Sequence, residues 1–324
     1  MWISRRLVRQ RDVLPGIEHV PNGRAMRAPV LGISGNASGR GAGRLGCVNR
    51  CGCEGETVMM SCGTGCLPDS PLEMVGDRVA SDLLQQHGVP TRPSSMDYLR
   101  YVKRVYNQRR SSSCTGHAFV QAAGVRARLM GADVEDGSPY GAYGLARMKT
   151  AGLGGLTDTG ARPRDLFEAM SLVGVPPRGS WPPPGHNDDD MDAWINRRMD
   201  DDWSAVADAF EYRLSDYSWV TDEPSKRTEV ICDLVALGYP VTMTIHDDEF
   251  LRGCKDMTPM PAPRDDDTTD GLHYIAIVGY HNGNLMFVNS WGDNFGSNGI
   301  GLLSPERVAH RTTQSIAALG VSVY

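Results

Sequence analysis

The hydrophobic positions of this chain follow two regimes. Up to about Gly238 they recur at helical spacing, and beyond it they run in short β-like blocks. Glu73 to Gly88 places Val75, Val79, Leu83 and Leu84 on one face, with Gly88 as a stop, and predicts a short amphipathic helix. From Cys114 onward, Ala118, Phe119, Ala122, Val125 and Leu129 share a helical face, with Ser112 or Ser113 available as N-cap. Pro163 to Val173 aligns Leu166, Phe167, Met170 and Val173, with Pro163 near the first turn and Gly174 past the end. Ser225 to Leu237 turns Val230, Ile231, Leu234 and Val235 inward and ends at Gly238.

The β regime begins with Pro240 to Ile245. It continues in a hairpin whose first arm runs from His273 to Tyr280 and whose second runs from Leu285 to Val288. Between them lies His281-Asn282-Gly283-Asn284, and Asn-Gly between two apolar runs is a strong hairpin signal. Gly299 to Leu303 reads as one more strand. A hairpin brings its ends together, so His273 and Asn289 are expected side by side. The pattern predicts an α+β protein, a helical part of about 100–230 followed by a β-rich part of about 231–324.

Composition changes the picture at the N-terminus. Residues 1–58 carry nine arginines against Asp12, Glu18, Glu54 and Glu56, and Gly32 to Gly46 has neither period. This stretch reads as a disordered Arg/Gly/Cys-rich leader, or as non-native if translation begins at Met59 or Met60, with 59–324 as the folded domain. Gly41 to Gly46 matches a dinucleotide fingerprint in spelling only, because no strand–turn–helix frames it. Cys47, Cys51, Cys53, Cys62 and Cys66 form a crowded cluster. It lacks the usual zinc knuckle spacing and has an odd member, so no metal and no cofactor is expected. The acidic runs near 188–190 and 200–202 lack calcium-loop spacing and read as solvated surface.

The formal net charge of -6, with no basic stripe interleaved with aromatics, gives no sign of nucleic-acid binding. No apolar run approaches the roughly 20 residues of a membrane span. The first residues lack the apolar core of a secretory signal. A reducing compartment, the cytoplasm, is therefore expected, with a phage or virion setting or another export route left open.

The candidate chemistry lies at Cys114. A thiol at a helix N-terminus sits among backbone N–H groups and the positive end of the helix dipole, both of which favour thiolate. His273 and Asn289 provide a base and a group to orient it. Asn289-Ser290-Trp291-Gly292, the Gly296 to Gly299 stretch and Gln108, six positions before Cys114, complete a set that resembles the papain-like cysteine peptidases. The resemblance spans roughly residues 60–324 and is closest to bacterial or phage-type members without an obvious inhibitory propeptide. Asp158-Thr159-Gly160-Ala161 and Gly238-Tyr239-Pro240-Val241 are weaker echoes. Around the nucleophile the family's usual Cys-Gly-Ser-Cys-Trp is replaced by Ser111-Ser112-Ser113-Cys114-Thr115, and the spacings from Cys114 to His273 and Asn289 exceed the usual roughly 130–150 residues.

The resemblance implies a two-lobed fold, one lobe helical and one an antiparallel β-barrel-like lobe, with the site in the cleft between them. It also implies a thiol-dependent endopeptidase acting on a peptide or protein substrate. Cys114 would be the nucleophile, His273 the base, Asn289 its orienting group and Gln108 an oxyanion donor, with Trp291 and Ser290 in support. A silent peptide-binding module and a related acyl-transfer enzyme are the alternatives. Asp265-Asp266-Asp267 and Asp270, just before His273, would favour basic substrates by steering.

Overall fold

The computed structural model describes residues 65–69, 77–151, 157–178, 181, 183–184, 190–200, 212–266 and 271–323. The expected leader, residues 1–58, lies outside them. So do Cys47, Cys51, Cys53 and Cys62 of the cysteine cluster, and Asp267 and Asp270. The main helices are α1 (Ala80–His87), α2 (Cys114–Leu129), α3 (Pro139–Ala151), α4 (Pro163–Leu172), α5 (Met191–Asp200) and α6 (Arg227–Ala236). The strands are β1 (Ser95–Asp97), β2 (Tyr212–Trp219), β3 (Val241–His246), β4 (Pro259–Met260), β5 (Leu272–His281), β6 (Asn284–Val288), β7 (Ile300–Leu303) and β8 (Gln314–Val323). No helix among the described residues is long and apolar enough to cross a membrane.

The architecture is α+β, as the pattern predicts. One sheet runs in the order β2-β8-β3-β5-β6-β7-β4, with β1 added on β5. Every pairing is antiparallel except β4 with β7. The β5–β6 hairpin turns at Asn282 and Gly283, whose φ values of +48° and +80° suit the two central residues of a type I′ turn. Helix α2 starts at Cys114 with Ser113 as N-cap residue. Helices α4 and α6 occupy the stretches their periodicity marks. The structure adds α3, β2 and β8, which the hydrophobic pattern does not single out. It also starts α1 at Ala80, later than the Glu73 expected.

Strand β5 organises the interior because successive side chains point to opposite faces. Tyr274 and Ala276 join a core with Phe119 of α2 and Phe167 of α4. Ile275 and Ile277 join a second core with Ile231 and Leu234 of α6 and Phe287 of β6. Helix α2 lies between β5 and β8 on one side and α3 on the other, and its residues are buried almost all round. Burial on both flanks holds the start of α2 against the start of β5, the two places from which the candidate chemistry comes.

Candidate active site

The hairpin brings His273 and Asn289 into direct contact. His273 Nε2 lies 2.7 Å from Asn289 Oδ1, and both side chains are buried. The same Oδ1 accepts from the backbone N–H of Ser290 at 2.7 Å. An oxygen that accepts twice fixes which way the amide points, so the hydrogen of His273 sits on Nε2 and Nδ1 is left as the basic nitrogen. Trp291 covers this pair, its ring 4.7 Å from that of His273 and inclined at 37°. Phe295 meets the outer side of Trp291 edge-on at 5.6 Å.

The loop before α2 is tied to the same place through backbone pairing. The N–H of Gln108 donates to the carbonyl of Ser290 at 2.7 Å, and the N–H of Gly292 donates to Tyr106 at 2.8 Å. This short antiparallel link delivers the Gln108 side chain to Ser290, whose hydroxyl donates to Gln108 Oε1 at 2.5 Å. Gln108 Nε2 donates to the carbonyl of Ser111 at 2.9 Å. Asp158 holds the loop from the opposite side. Both its carboxylate oxygens accept from Ser112 N at 3.0 Å, and one accepts from the Tyr143 hydroxyl at 2.7 Å.

The loop ends at Cys114, whose sulfur is approached by the backbone N–H groups of Tyr274, Thr115 and Gly65. Tyr274 is the residue after His273. The structure thus gathers Cys114, His273, Asn289, Gln108, Ser290 and Trp291 around the junction of α2 with β5, the six positions singled out from the sequence.

Solved structures with the same architecture include cysteine proteases. Xylellain, a cysteine protease from Xylella fastidiosa, matches with a TM-score of 0.63 over 80% of this chain and 96% of its own, at 20% identity. Digestive procathepsin L2 proteinase from Tenebrio molitor larval midgut matches at 0.57 over 81% and 79%, at 19% identity. A Carica candamarcensis cysteine protease in complex with E-64 matches at 0.51 over 70% and 98%, at 17% identity. The chain has a papain-like fold. No family model matches it, and no curated protein matches it by sequence.

In this papain-like fold one further segment runs over the candidate site. Gly65 to Asp69 lies alongside Ala161, with Ala161 N–H donating to Gly65 at 3.0 Å and Leu67 N–H donating to Ala161 at 3.1 Å. On its other side, Cys66 N–H donates to the carbonyl of Leu272, the residue before His273, at 3.3 Å. The Cys66 thiol is buried 3.3 Å from the Thr244 hydroxyl. Asp69 anchors the far end. Its carboxylate accepts from the N–H of Arg164 in the first turn of α4 at 3.2 Å and from the Ser315 hydroxyl at 2.9 Å.

That cover reverses the expectation of an activated thiol. Cys114 is fully buried, and burial pushes its pKa up to about 12 even though three backbone N–H groups pull the other way. Loss of water disfavours the charged form more than the helix N-terminus favours it. Asp158 and Ala161 were legible as an echo of the fold. Thr244, Leu272 and Asp69 carry no local signal and are found only from the three-dimensional contacts.

Of the other histidines, His117 is buried within α2, and His281 is exposed at the hairpin turn. Asp265 and Asp266 are exposed. Asp265 faces Arg311 at 3.8 Å across a solvent-exposed gap.

Proposed function

We propose that the chain is a thiol-dependent endopeptidase acting through Cys114, His273 and Asn289. The observation that carries this reading is the buried His273–Asn289 pair. It leaves His273 Nδ1 as the base, beneath Trp291 and one residue from Tyr274, whose backbone N–H approaches the Cys114 sulfur. The His273 Nδ1 would take the Cys114 proton. The thiolate would attack the scissile carbonyl, and the imidazolium would then protonate the leaving amine, giving an acyl-enzyme that water hydrolyses. Asn289 holds the imidazole in one tautomer. Gln108 Nε2 and the Cys114 backbone N–H are the donors for the oxyanion, each worth about 3–4 kcal/mol in such sites. Trp291 shields the His–Asn hydrogen bond from water, and Ser290 fixes the Gln108 amide through its oxygen.

The state described is a closed one. A substrate strand would need the edges of Ala161 and Leu272 that Gly65 to Asp69 occupies, and burial raises the pKa of the Cys114 thiol in this arrangement. Release of the segment is therefore part of the reaction cycle or of its onset.

The test is hydrolysis of quenched-fluorescent peptide libraries under reducing conditions by wild type, Cys114→Ala and Gly65→Ala proteins. Turnover by wild type or by Gly65→Ala, absent in Cys114→Ala, supports the reading. Folded protein that cleaves nothing even in the Gly65→Ala form overturns it and leaves a peptide-binding module. Product transfer to an added amine in preference to water would assign an acyl-transfer enzyme.

A further inference from the structure

The candidate residues do not account for a polar group behind them. His117 and Gln121 lie on α2, about one and two turns after Cys114, and both are buried. His117 Nδ1 is 2.8 Å from the carbonyl oxygen of Ser113. A carbonyl only accepts, so Nδ1 carries the hydrogen and Nε2 is a bare acceptor. That Nε2, both amide atoms of Gln121 and Nδ2 of Asn289 are buried and have no hydrogen-bond partner among the described residues. All three side chains line a single cavity of about 10 Å³, whose wall is completed by Tyr106, Ala118, Tyr274, Val288 and Ser290. Its size suits one water molecule, and a buried water typically makes about three hydrogen bonds to otherwise unsatisfied groups.

The donors and acceptors are complementary. Asn289 Nδ2 donates, His117 Nε2 accepts, and Gln121 offers one of each. Asn289 has its oxygen turned to His273 and its nitrogen turned to this cavity. A flipped amide would break the His273 bond and place an oxygen opposite the His117 acceptor.

We propose that His117 and Gln121 are positioning residues that orient the Asn289 amide through one internal water, and so couple the helix bearing Cys114 to the His273–Asn289 pair. Neither touches substrate. Their effect passes through Asn289 to the His273 Nε2–H bond, which keeps the ring hydrogen on Nε2 and Nδ1 as the basic nitrogen. His117 suits this role only as a neutral ring, since a second cation near His273 would oppose formation of its imidazolium. Burial, first, and the nearby His273 hold the His117 pKa down to about 4, so it stays neutral across the working range.

The kinetic consequence rests on the peptidase reading; the structural one does not. The test therefore has two arms on the full-length protein. The first follows the downfield proton resonance of His273 Nε2–H in wild type, Gln121→Met and His117→Gln. Gln121→Met keeps the side-chain volume and removes both polar atoms, while His117→Gln keeps an acceptor near the position of Nε2. Faster solvent exchange and broadening of that resonance in Gln121→Met, with a near wild-type signal in His117→Gln, supports the proposal. An unchanged resonance in folded Gln121→Met overturns it. The second arm reads peptide hydrolysis in the Gly65→Ala background. A fall in kcat of about tenfold in Gln121→Met, with KM held, is expected for loss of one buried polar link. Unchanged kcat overturns the kinetic part. An electron-density peak for water bonded to His117, Gln121 and Asn289 at high resolution is required in either case, and a dry cavity sinks the idea. If no peptide is ever cleaved, the resonance and the water still decide the proposal.

Discussion

Gly65 and Gly160 touch through their backbones. A Cβ added to Gly160 would stand 2.4 Å from the carbonyl oxygen of Gly65, and one added to Gly65 would stand 2.2 Å from the carbonyl oxygen of Ser112. Real Cβ atoms do not approach backbone so closely. The covering segment thus fits its cleft only because position 65 has no side chain. Gly65→Ala should dislodge the segment, because the Ser112 backbone it would meet is held in place by Asp158. Peptide hydrolysis, assayed under reducing conditions, is expected to rise at least tenfold over wild type. Equal activities would mean that the segment does not restrain the site.

The thiol gives a second reading of the same equilibrium. With burial pushing the Cys114 thiol up to about 12, the thiolate is scarce at pH 7 while the segment is docked. Iodoacetamide should therefore label Cys114 slowly in wild type, as followed by peptide mass. In Gly65→Ala the sulfur regains water and the helix N-terminus, and labelling should become fast already at mildly acidic pH. Adding His273→Ala to that variant should return the profile to that of a free thiol near pH 8.5. Labelling indifferent to His273 would remove it as the partner of Cys114.

Closure should also depend on pH, with a sign fixed by Asp69. Burial raises its carboxyl from the ordinary 3.8 to about 6. The Arg164 N–H, the Ser315 hydroxyl and Arg162 oppose that rise, and Asp165 adds to it. At pH below 3.8 the group is protonated whether the segment is docked or released, and docking keeps its full strength. Between 3.8 and about 6 the released form ionises first. Above about 6 docking has lost on the order of 3 kcal/mol, the free-energy equivalent of roughly two pKa units. The segment should be released more readily as pH rises through 6. Asp69→Asn should abolish this dependence and stay closed. The measurement is the difference in Cys114 labelling between the two proteins from pH 4 to 7, and parallel curves would refute the linkage.

How far the sequence foretold this site follows from how each part is held. The β5–β6 hairpin was legible because its turn needs Asn282 and Gly283 and its arms are continuously apolar. Helix α2 was legible from Ala118, Phe119 and Ala122 on one face after the serines. Helix α3 was not, because Gly141 and Gly144 let Pro176 and Trp181 pack against it, and such a helix shows no polar face to set the period. Strand β8, Gln314–Val323, mixes small residues with polar ones, and it is held by pairing to β2 and β3, remote in sequence. The covering segment was illegible for the same reason. Gly65, Cys66 and Leu67 bind through backbone N–H and C=O groups, which every residue possesses, so no side-chain pattern marks them. Cys66, counted with the N-terminal cysteine cluster, instead lies buried against Thr244.

A final prediction concerns Asp158, which no catalytic role requires. Its carboxylate takes the Ser112 N–H and the Tyr143 hydroxyl, and the Ser112 hydroxyl donates to its backbone carbonyl at 2.9 Å. These bonds fix Ser112, two positions before Cys114. In Asp158→Ala the half-buried Ser112 N–H loses its partner, and the Tyr143 hydroxyl loses its acceptor and keeps only the Gly160 N–H that donates to it. Each such orphan costs about 1–3 kcal/mol. Urea unfolding should show a loss of about 2–4 kcal/mol, with the midpoint lowered and the slope unchanged. Activity in the Gly65→Ala background should fall through kcat, because the loop sets where the Cys114 sulfur and the Gln108 amide stand. Full stability together with full activity would show that the loop holds its shape without Asp158, and that the Gln108 pairing to Ser290 suffices to position Cys114.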